Sequence, residues 1–182
     1  MEYVKKYYDI TAAEIRSGQY DPQQLIDPLW WSVSIYDGYE QYERDLAPFT
    51  KAQRAVFAVM WYEAEVCNGG HDQFFSNSTG IVWQDALAGF AMIGAAECEK
   101  NLRAVIEKCG GSVPFDRTQR EELLEKLTYL PEEDDWIDLF GENDSVFYDH
   151  EGDLAERIVE YAKDHAEQFV FRGEVEVPAN MA

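Results

Sequence analysis

The sequence predicts an all-α protein, and three observations support this fold class. Apolar residues recur at helical spacing along most of the chain, and glycine pairs follow the two longest helical runs. No stretch alternates apolar and polar residues over more than a few positions. Hydrophobic residues make up 46% of the 182 residues, which is enough to bury a core despite the high charge. We therefore expect a single compact multi-helix domain with an acidic C-terminal helical part.

The N-terminal half is expected to contain two short helices and one long central helix. The short helices are predicted at residues 26–36 and 39–46. Thr50 and Gln53 match a capping box, and a strongly apolar helical run follows them to residue 67. This helix is expected to stop at residues 68–70, Asn-Gly-Gly, because glycine adopts left-handed backbone angles at little cost.

The remaining elements follow from the same periodicity. In chain order we expect a short helix at 73–75, a helix at 82–108 that Gly94 bends or opens to a close neighbour, a helix at 118–129 and a final helix at 153–171. Residues 131–152 are expected to mix loop and short helix, and residues 173–177 are the best, though weak, strand candidate. The single domain, residues 1–182, then comprises a helical core (1–130), an acidic helical segment packed on it (131–172) and a tail (173–182).

Charge is the strongest indication of function. The chain has 36 acidic and 15 basic residues, a net charge of −21. Residues 131–182 contain 16 acidic and three basic residues, so the last third of the chain has the greatest excess. Such a field repels nucleic acids and anionic membranes and attracts basic proteins, so we expect neither direct nucleic-acid binding nor membrane binding. The longest run without a polar residue, 86–96, is shorter than the roughly 20 residues of a membrane span, and we expect a cytoplasmic protein.

Five carboxylates are expected to share one face of the last helix and are called here the acidic row: Asp153, Glu156, Glu160, Asp164 and Glu167. Within the row, residues four apart carry like charges, which costs on the order of 0.2–0.5 kcal/mol a pair, while Arg157 and Lys163 only flank it. Helix stability would not select this pattern. A second acidic set could raise the charge density toward that of DNA: Asp134, Asp135, Asp138, Glu142, Asp144, Asp149 and Glu151. Together the twelve acids form the expected binding surface for a basic DNA-binding protein.

The Asn-Gly-Gly segment is predicted to be a tight joint between two helices. Its motif comprises Glu65, Asn68, Gly69, Gly70, Gln73, Phe74, Phe75, Asn77 and Gly80. We interpret the motif as structural, with Glu65 bonding backbone amides of the turn. The pattern resembles a bacterial family labelled a domain of unknown function, whose best-understood type is an acidic DNA-mimic protein. His71 stands where an aromatic residue is expected. The resemblance implies an all-α fold, is compatible with a homodimer, and for the mimic type implies binding a transcription factor or histone-like protein in place of DNA.

Three other functions are compatible with the sequence. The first is an inhibitor or immunity-type protein for a basic nuclease, which would use the same electrostatics. The second is an enzyme or small-ligand binder with a pocket lined by Glu63, His71 and Gln73; a filled joint would exclude it. The third is adaptation to high salt, which the seven lysines would fit. No nucleophile signature, phosphate loop or metal-ligand spacing is present around His150 or elsewhere, so we expect no enzyme, cofactor or metal.

Overall fold

A long central helix organises the fold in the computed structural model, which describes residues 2–132 and 135–181. The helices are α1 (Ala12–Arg16), α2 (Pro22–Ser32), α3 (Tyr39–Leu46), α4 (Lys51–Ser76), α5 (Trp83–Met92), α6 (Ala96–Lys108), α7 (Arg117–Thr128), α8 (Gly141–His150) and α9 (Leu154–Asp164). The strands are β1 (Tyr3–Ile10), β2 (Tyr129–Leu130), β3 (Asp135–Trp136) and β4 (Phe171–Pro178), and short 3₁₀ turns lie at Ser78–Val82, Glu151–Asp153, Ala166–Gln168 and Ala179–Met181.

Helix α4 begins and packs as the sequence predicts. The Thr50 hydroxyl accepts the N–H of Gln53 at 3.1 Å, and Gln53 Oε1 accepts the N–H of Thr50 at 3.0 Å, which closes the predicted capping box. Val56, Val59 and Tyr62 are fully buried on this helix. α2, α5, α7 and α8 all pack against it, so α4 is the centre of the hydrophobic core.

The helix is broken at the predicted joint but continues beyond it to Ser76. Gly69 and Gly70 have non-helical backbone angles, and Gly70 has φ +73°. The prediction of one continuous helix over 82–108 was wrong, because this segment forms two helices. Gly94, with φ +71°, separates α5 from α6. The close contact with a neighbouring helix that was expected at Gly94 occurs at Gly89. A Cβ at Gly89 would lie 2.6 Å from Val59 Cγ2, so this glycine lets α5 contact α4.

The all-α prediction is correct for the greater part of the fold, but the structure also contains a small sheet, and the strand candidate at 173–177 lies within its strand β4. β1 and β4 pair antiparallel, with Tyr3 opposite Pro178 and Ile10 opposite Phe171. The alternation of apolar and polar residues that predicts a strand is obscured in β1, because aromatic residues lie on both of its faces. Tyr7 is exposed, whereas Tyr8 is buried. Residues 173–182, expected as a tail, include most of β4. The wider division of the chain into three parts stays a prediction.

The acidic segment after Pro131 is largely ordered by short elements. β2 and β3 form a hairpin in which Tyr129 pairs with Trp136, and α8 then packs against α6.

Among the residues that the structure describes, no helix is both long enough and apolar enough to cross a membrane.

Candidate interaction surface

The acids of the predicted binding surface lie on the β2–β3 hairpin, on α8, on the turn after it and on α9. Asp134 lies outside the described residues. Nine of the acids are exposed to solvent: Asp135, Asp138, Glu142, Asp149, Asp153, Glu156, Glu160, Asp164 and Glu167. The two partly buried acids are Asp144 and Glu151. Most of the set can therefore reach a partner, and Asp144 is the clearest exception.

The last helix is shorter than the predicted 153–171. α9 ends at Asp164, and a 3₁₀ turn over Ala166–Gln168 follows it. Ala166 and Phe169 are buried, so the chain turns inward there before it enters β4. The acidic row therefore begins just before α9, at Asp153, and ends in the turn, at Glu167, rather than lying on one helix.

Three acids of the row have basic partners, so the prediction that basic residues only flank it was wrong. Asp153 pairs with Arg157 at 2.7 Å and Glu160 with Lys163 at 2.7 Å. Glu167 pairs with Arg16, which lies far away in the sequence, at 2.6 Å. All three pairs are solvent-exposed and contribute little to stability. Within residues 2–132 and 135–181, Glu156 and Asp164 make no ion pair.

Four acids of the row, all except Glu167, line one wall of a groove between α9 and the α5–α6 connection. The groove has a volume of about 520 Å³, and Met92, Ile93 and Tyr161 supply its apolar surface. Arg157 crosses it, since its Nη1 donates to the carbonyl oxygen of Gly94 at 2.8 Å. The carboxylates here thus border a concave surface with an apolar component, which DNA-like charge alone would not require.

In the second acidic set, some carboxylates stabilise local structure and others are unengaged. Asp138 Oδ1 accepts the N–H groups of Phe140 at 3.2 Å and of Gly141 at 2.8 Å, where α8 begins. In the described part of the chain, the exposed Glu142 and Asp149 have neither an ion pair nor a side-chain hydrogen bond. These two, with Glu156 and Asp164, are the carboxylates most available to a partner.

Asp144 turns inward and fastens α8 to the central joint. Its Oδ1 accepts the backbone N–H of His71 at 2.9 Å and also bonds Nδ1 of the same residue. Nε2 of His71 bonds the hydroxyl of Tyr62, and both of these side chains are fully buried. Burial raises the pKa of Asp144, but the hydrogen bonds from His71 outweigh it and hold that pKa below its usual value. Burial raises the pKa of Tyr62 well above its usual value, so this phenol stays protonated.

The motif residues build the joint through side-chain amides. Glu65 Oε2 accepts Nε2 of Gln73 at 2.8 Å and Nδ2 of Asn77 at 2.9 Å. The backbone-amide partners expected for Glu65 are therefore replaced by two other members of the motif. Phe74, Phe75 and Gly80 are buried, whereas Asn68 and Gly69 are exposed.

A buried arginine, which sequence reasoning did not single out, completes the joint. Arg120 donates to the carbonyl oxygens of Phe75 at 2.8 Å, Asn77 at 2.7 Å and Phe115 at 2.6 Å. Burial lowers its pKa to about 10, so the guanidinium stays charged at neutral pH. The sequence pattern that indicates burial of Arg120 is its spacing: it lies three residues before Leu123 and four before Leu124, on the apolar side of α7.

The three residues of the predicted catalytic pocket have separate partners. His71 bonds Tyr62 and Asp144, and Gln73 bonds Glu65. Glu63 instead lies near Glu151, and burial, followed by the charge of that residue, raises the pKa of Glu63 to about 7. In the described ranges, no group of three or more His, Cys, Asp or Glu side chains has an arrangement that could hold a metal ion.

A comparison with protein families identifies one match, to the family described as DMP19-like protein, over residues 47–165. DMP19 is a DNA-mimic protein family and is not a known enzyme family. No curated protein and no solved structure matches the chain significantly.

The resemblance stated from the sequence was wrong in its description of the family. It named a bacterial acidic DNA-mimic family, labelled a domain of unknown function and recognised by the motif between Glu65 and Gly80; the DNA-mimic type is consistent with the match, but the motif is not shown. The family that matches is DMP19-like, and the match extends over residues 47–165 without marking out that motif. Because the match covers well over half of the 182 residues, the chain belongs to the DMP19-like protein family.

Proposed function

We propose that this protein is a DNA mimic that occupies the DNA-binding face of a basic DNA-binding protein, such as a transcription factor or a histone-like protein. The observation that carries the proposal is the group of exposed, unengaged carboxylates on α8 and α9. The DMP19-like family and the net charge of −21 support it. A homodimer and a cytoplasmic location stay predictions.

The physical basis is the exchange of counterions. A DNA-binding groove is lined by Lys and Arg side chains that neutralise phosphates, and it releases condensed counterions from DNA when it binds. Exposed carboxylates fixed on rigid helices present charge to the same groove without the flexibility of a disordered acidic tail. Glu156 and Asp164 lie on one helix, and Glu142 and Asp149 on another, so both helices contribute.

The proposal is tested by affinity capture of basic proteins from a lysate, followed by displacement with duplex DNA and a salt series. We expect a DNA-binding protein to be retained and then released by duplex DNA. We also expect its affinity to fall steeply with salt. The triple variant Asp149→Asn, Glu156→Gln and Asp164→Asn should weaken this binding by roughly threefold to a hundredfold, since exposed pairs contribute roughly 0.2–1 kcal/mol each.

The chain offers a control of equal charge change elsewhere on the surface. Glu107, Glu122 and Glu125 are exposed, lie on α6 and α7, and make no ion pair within the described residues. Their replacement by Gln should reduce affinity far less than the triple change on α8 and α9. Equal losses in the two triple variants would indicate a general field effect. Capture of no DNA-binding protein would contradict the proposal.

A further inference from the structure

A second concave site lies beside the β2–β3 hairpin, apart from the groove along α9. It is a cleft of about 360 Å³, and its apolar wall includes Trp136, Ile137 and Leu139. Trp136 is 59% exposed and Ile137 is 41% exposed. Tryptophan is enriched among the residues that dominate protein interfaces, so an exposed indole beside a cleft is a candidate contact residue.

Three carboxylates from different elements line the same cleft. Asp72 comes from the end of α4 beyond the joint, Asp138 from the loop before α8, and Asp144 from α8 itself. Asp72 has no ion pair or hydrogen bond to another residue of the described chain. Asp138 and Asp144 each use Oδ1 for the bonds described above, and no described residue donates to Oδ2 of either.

His71 pairs with Asp144, whereas Asp72 and Asp138 form no ion pair with any residue that the structure describes. After the hydrogen bonds and charge of His71, the charge of Lys108 also lowers the pKa of Asp144, but the Lys108 Nζ donates to the carbonyl oxygen of Leu139 at 2.8 Å. Burial, and then the charges of Asp144 and Asp138, raise the pKa of Asp72. The carboxylates therefore repel one another in the free protein, and a cation supplied from outside would relieve that repulsion.

We propose that this cleft binds one arginine side chain of the basic partner, with the guanidinium beside Asp72 and Asp138 and against the Trp136 indole. A guanidinium suits this site better than an ammonium because it is planar, carries five donors and stacks on aromatic faces. The inference rests on the proposed function for the identity of the partner, but the chemistry of the cleft is testable alone. It adds to charge mimicry a specific anchor of the kind that dominates protein interfaces.

The test is an NMR titration of the full-length protein with N-acetyl-arginine amide, and with N-acetyl-lysine amide for comparison. The indole N–H of Trp136 and the backbone amide of Asp72 should shift saturably with the arginine compound and more weakly with the lysine compound. Asp72→Asn and Trp136→Ala should each weaken arginine binding by about threefold or more. Asp72 is suitable for replacement because the fold does not use its side chain for a bond.

The matched control is Asp149→Asn, which removes the same charge from an exposed acid that does not line the cleft. This variant should leave arginine binding nearly unchanged. Equal weakening by Asp72→Asn and Asp149→Asn, equal binding of the lysine compound, or no shift at Trp136 would each overturn the inference.

Failure of this inference and failure of the proposed function give different results. If the arginine compound does not bind at Trp136 while duplex DNA still displaces a captured protein, the cleft is not an anchor but the mimic function stands. If the compound binds at Trp136 and no DNA-binding protein is captured, the cleft is an arginine site and the mimic function fails.

Discussion

At the residue scale, Gly70 shows how one position connects the helical joint to the acidic surface. Its φ of +73° and ψ of −176° lie in a region that is essentially restricted to glycine. A Cβ there would also lie 2.3 Å from Oδ2 of Asp144. That carboxylate cannot swing away freely, because its other oxygen is bonded to His71. Backbone conformation and close approach thus both require glycine.

We predict that Gly70→Ala destabilises the protein by about 2–5 kcal/mol, from backbone strain plus overpacking. Gly38 provides a control, since its φ of +85° and ψ of 169° are similar but nothing lies within 4 Å of a Cβ there. Gly38→Ala should destabilise the protein only through backbone strain, by about 1–3 kcal/mol. Urea unfolding measures both, and equal losses would show that the contact with Asp144 is unimportant.

Glu63 gives a prediction about pH. Its pKa is raised to about 7, so the folded state binds a proton more tightly than the unfolded state does. The stability that depends on this proton is present below about pH 4.5 and is lost as pH rises toward 7. Glu63→Gln should therefore stabilise the protein by about 1–3 kcal/mol at pH 8 and have almost no effect at pH 4. Unfolding curves at the two pH values measure this, with Glu142→Gln as the exposed control. A gain that is the same at both values would contradict it.

At the element scale, α7 terminates α4 by means of a side chain. Arg120 reaches from α7 to carbonyl groups at the end of α4, where no further helical N–H groups exist to bond them. Gly80 makes room for it, since a Cβ there would lie 2.7 Å from Nε of Arg120. A charged side chain is retained in the core because several carbonyl oxygens there accept its N–H groups, although the Asn77 oxygen also accepts the N–H of Gly80 at 3.2 Å.

We predict that Arg120→Met destabilises the protein by about 3 kcal/mol or more, because it leaves several buried carbonyl groups without donors. Arg117→Met is the matched control. Arg117 Nε also bonds a carbonyl oxygen at the end of α4, that of Ser76, at 2.8 Å, but its side chain is exposed and water can replace it. The control should cost less than about 1 kcal/mol. Similar losses in chemical denaturation would show that burial of Arg120 is not decisive.

Elements defined by local signals could be predicted from the sequence, whereas those defined by distant partners could not. The capping box at Thr50 and the stop at Asn-Gly-Gly depend on neighbouring residues, and both are found. β1 forms because β4 pairs with it from the other end of the chain, and nothing near Tyr3 indicates that partner. The pair of Glu167 with Arg16 was missed for the same reason, whereas the missed pairs of Asp153 with Arg157 and of Glu160 with Lys163 are local in the sequence. Likewise, Asp72 and Trp136 share a cleft that only the tertiary fold creates.

At the scale of the whole molecule, the uneven charge separates the proposed function from adaptation to high salt. A net charge of −21 destabilises the compact state through self-repulsion, which salt screens. The excess is concentrated after residue 130, and several acids on α8 and α9 make no ion pair in the described ranges. Repulsion should therefore be strongest around these two helices.

We predict that the melting temperature rises by several degrees between about 0.01 and 0.5 M NaCl, as the Debye length falls from roughly 30 Å to below 8 Å. The variant Asp149→Asn, Glu156→Gln and Asp164→Asn should show a smaller rise. The control variant with Gln at 107, 122 and 125 should keep more of the rise in melting temperature, because the charges that it removes lie outside the acidic region after residue 130. Differential scanning calorimetry measures all three proteins. Adaptation to high salt predicts instead that the wild-type fold is lost at 0.01 M NaCl. An equal loss of salt dependence in both variants would show that the charge acts as a diffuse field, and would remove the electrostatic reason for a docking surface on α8 and α9.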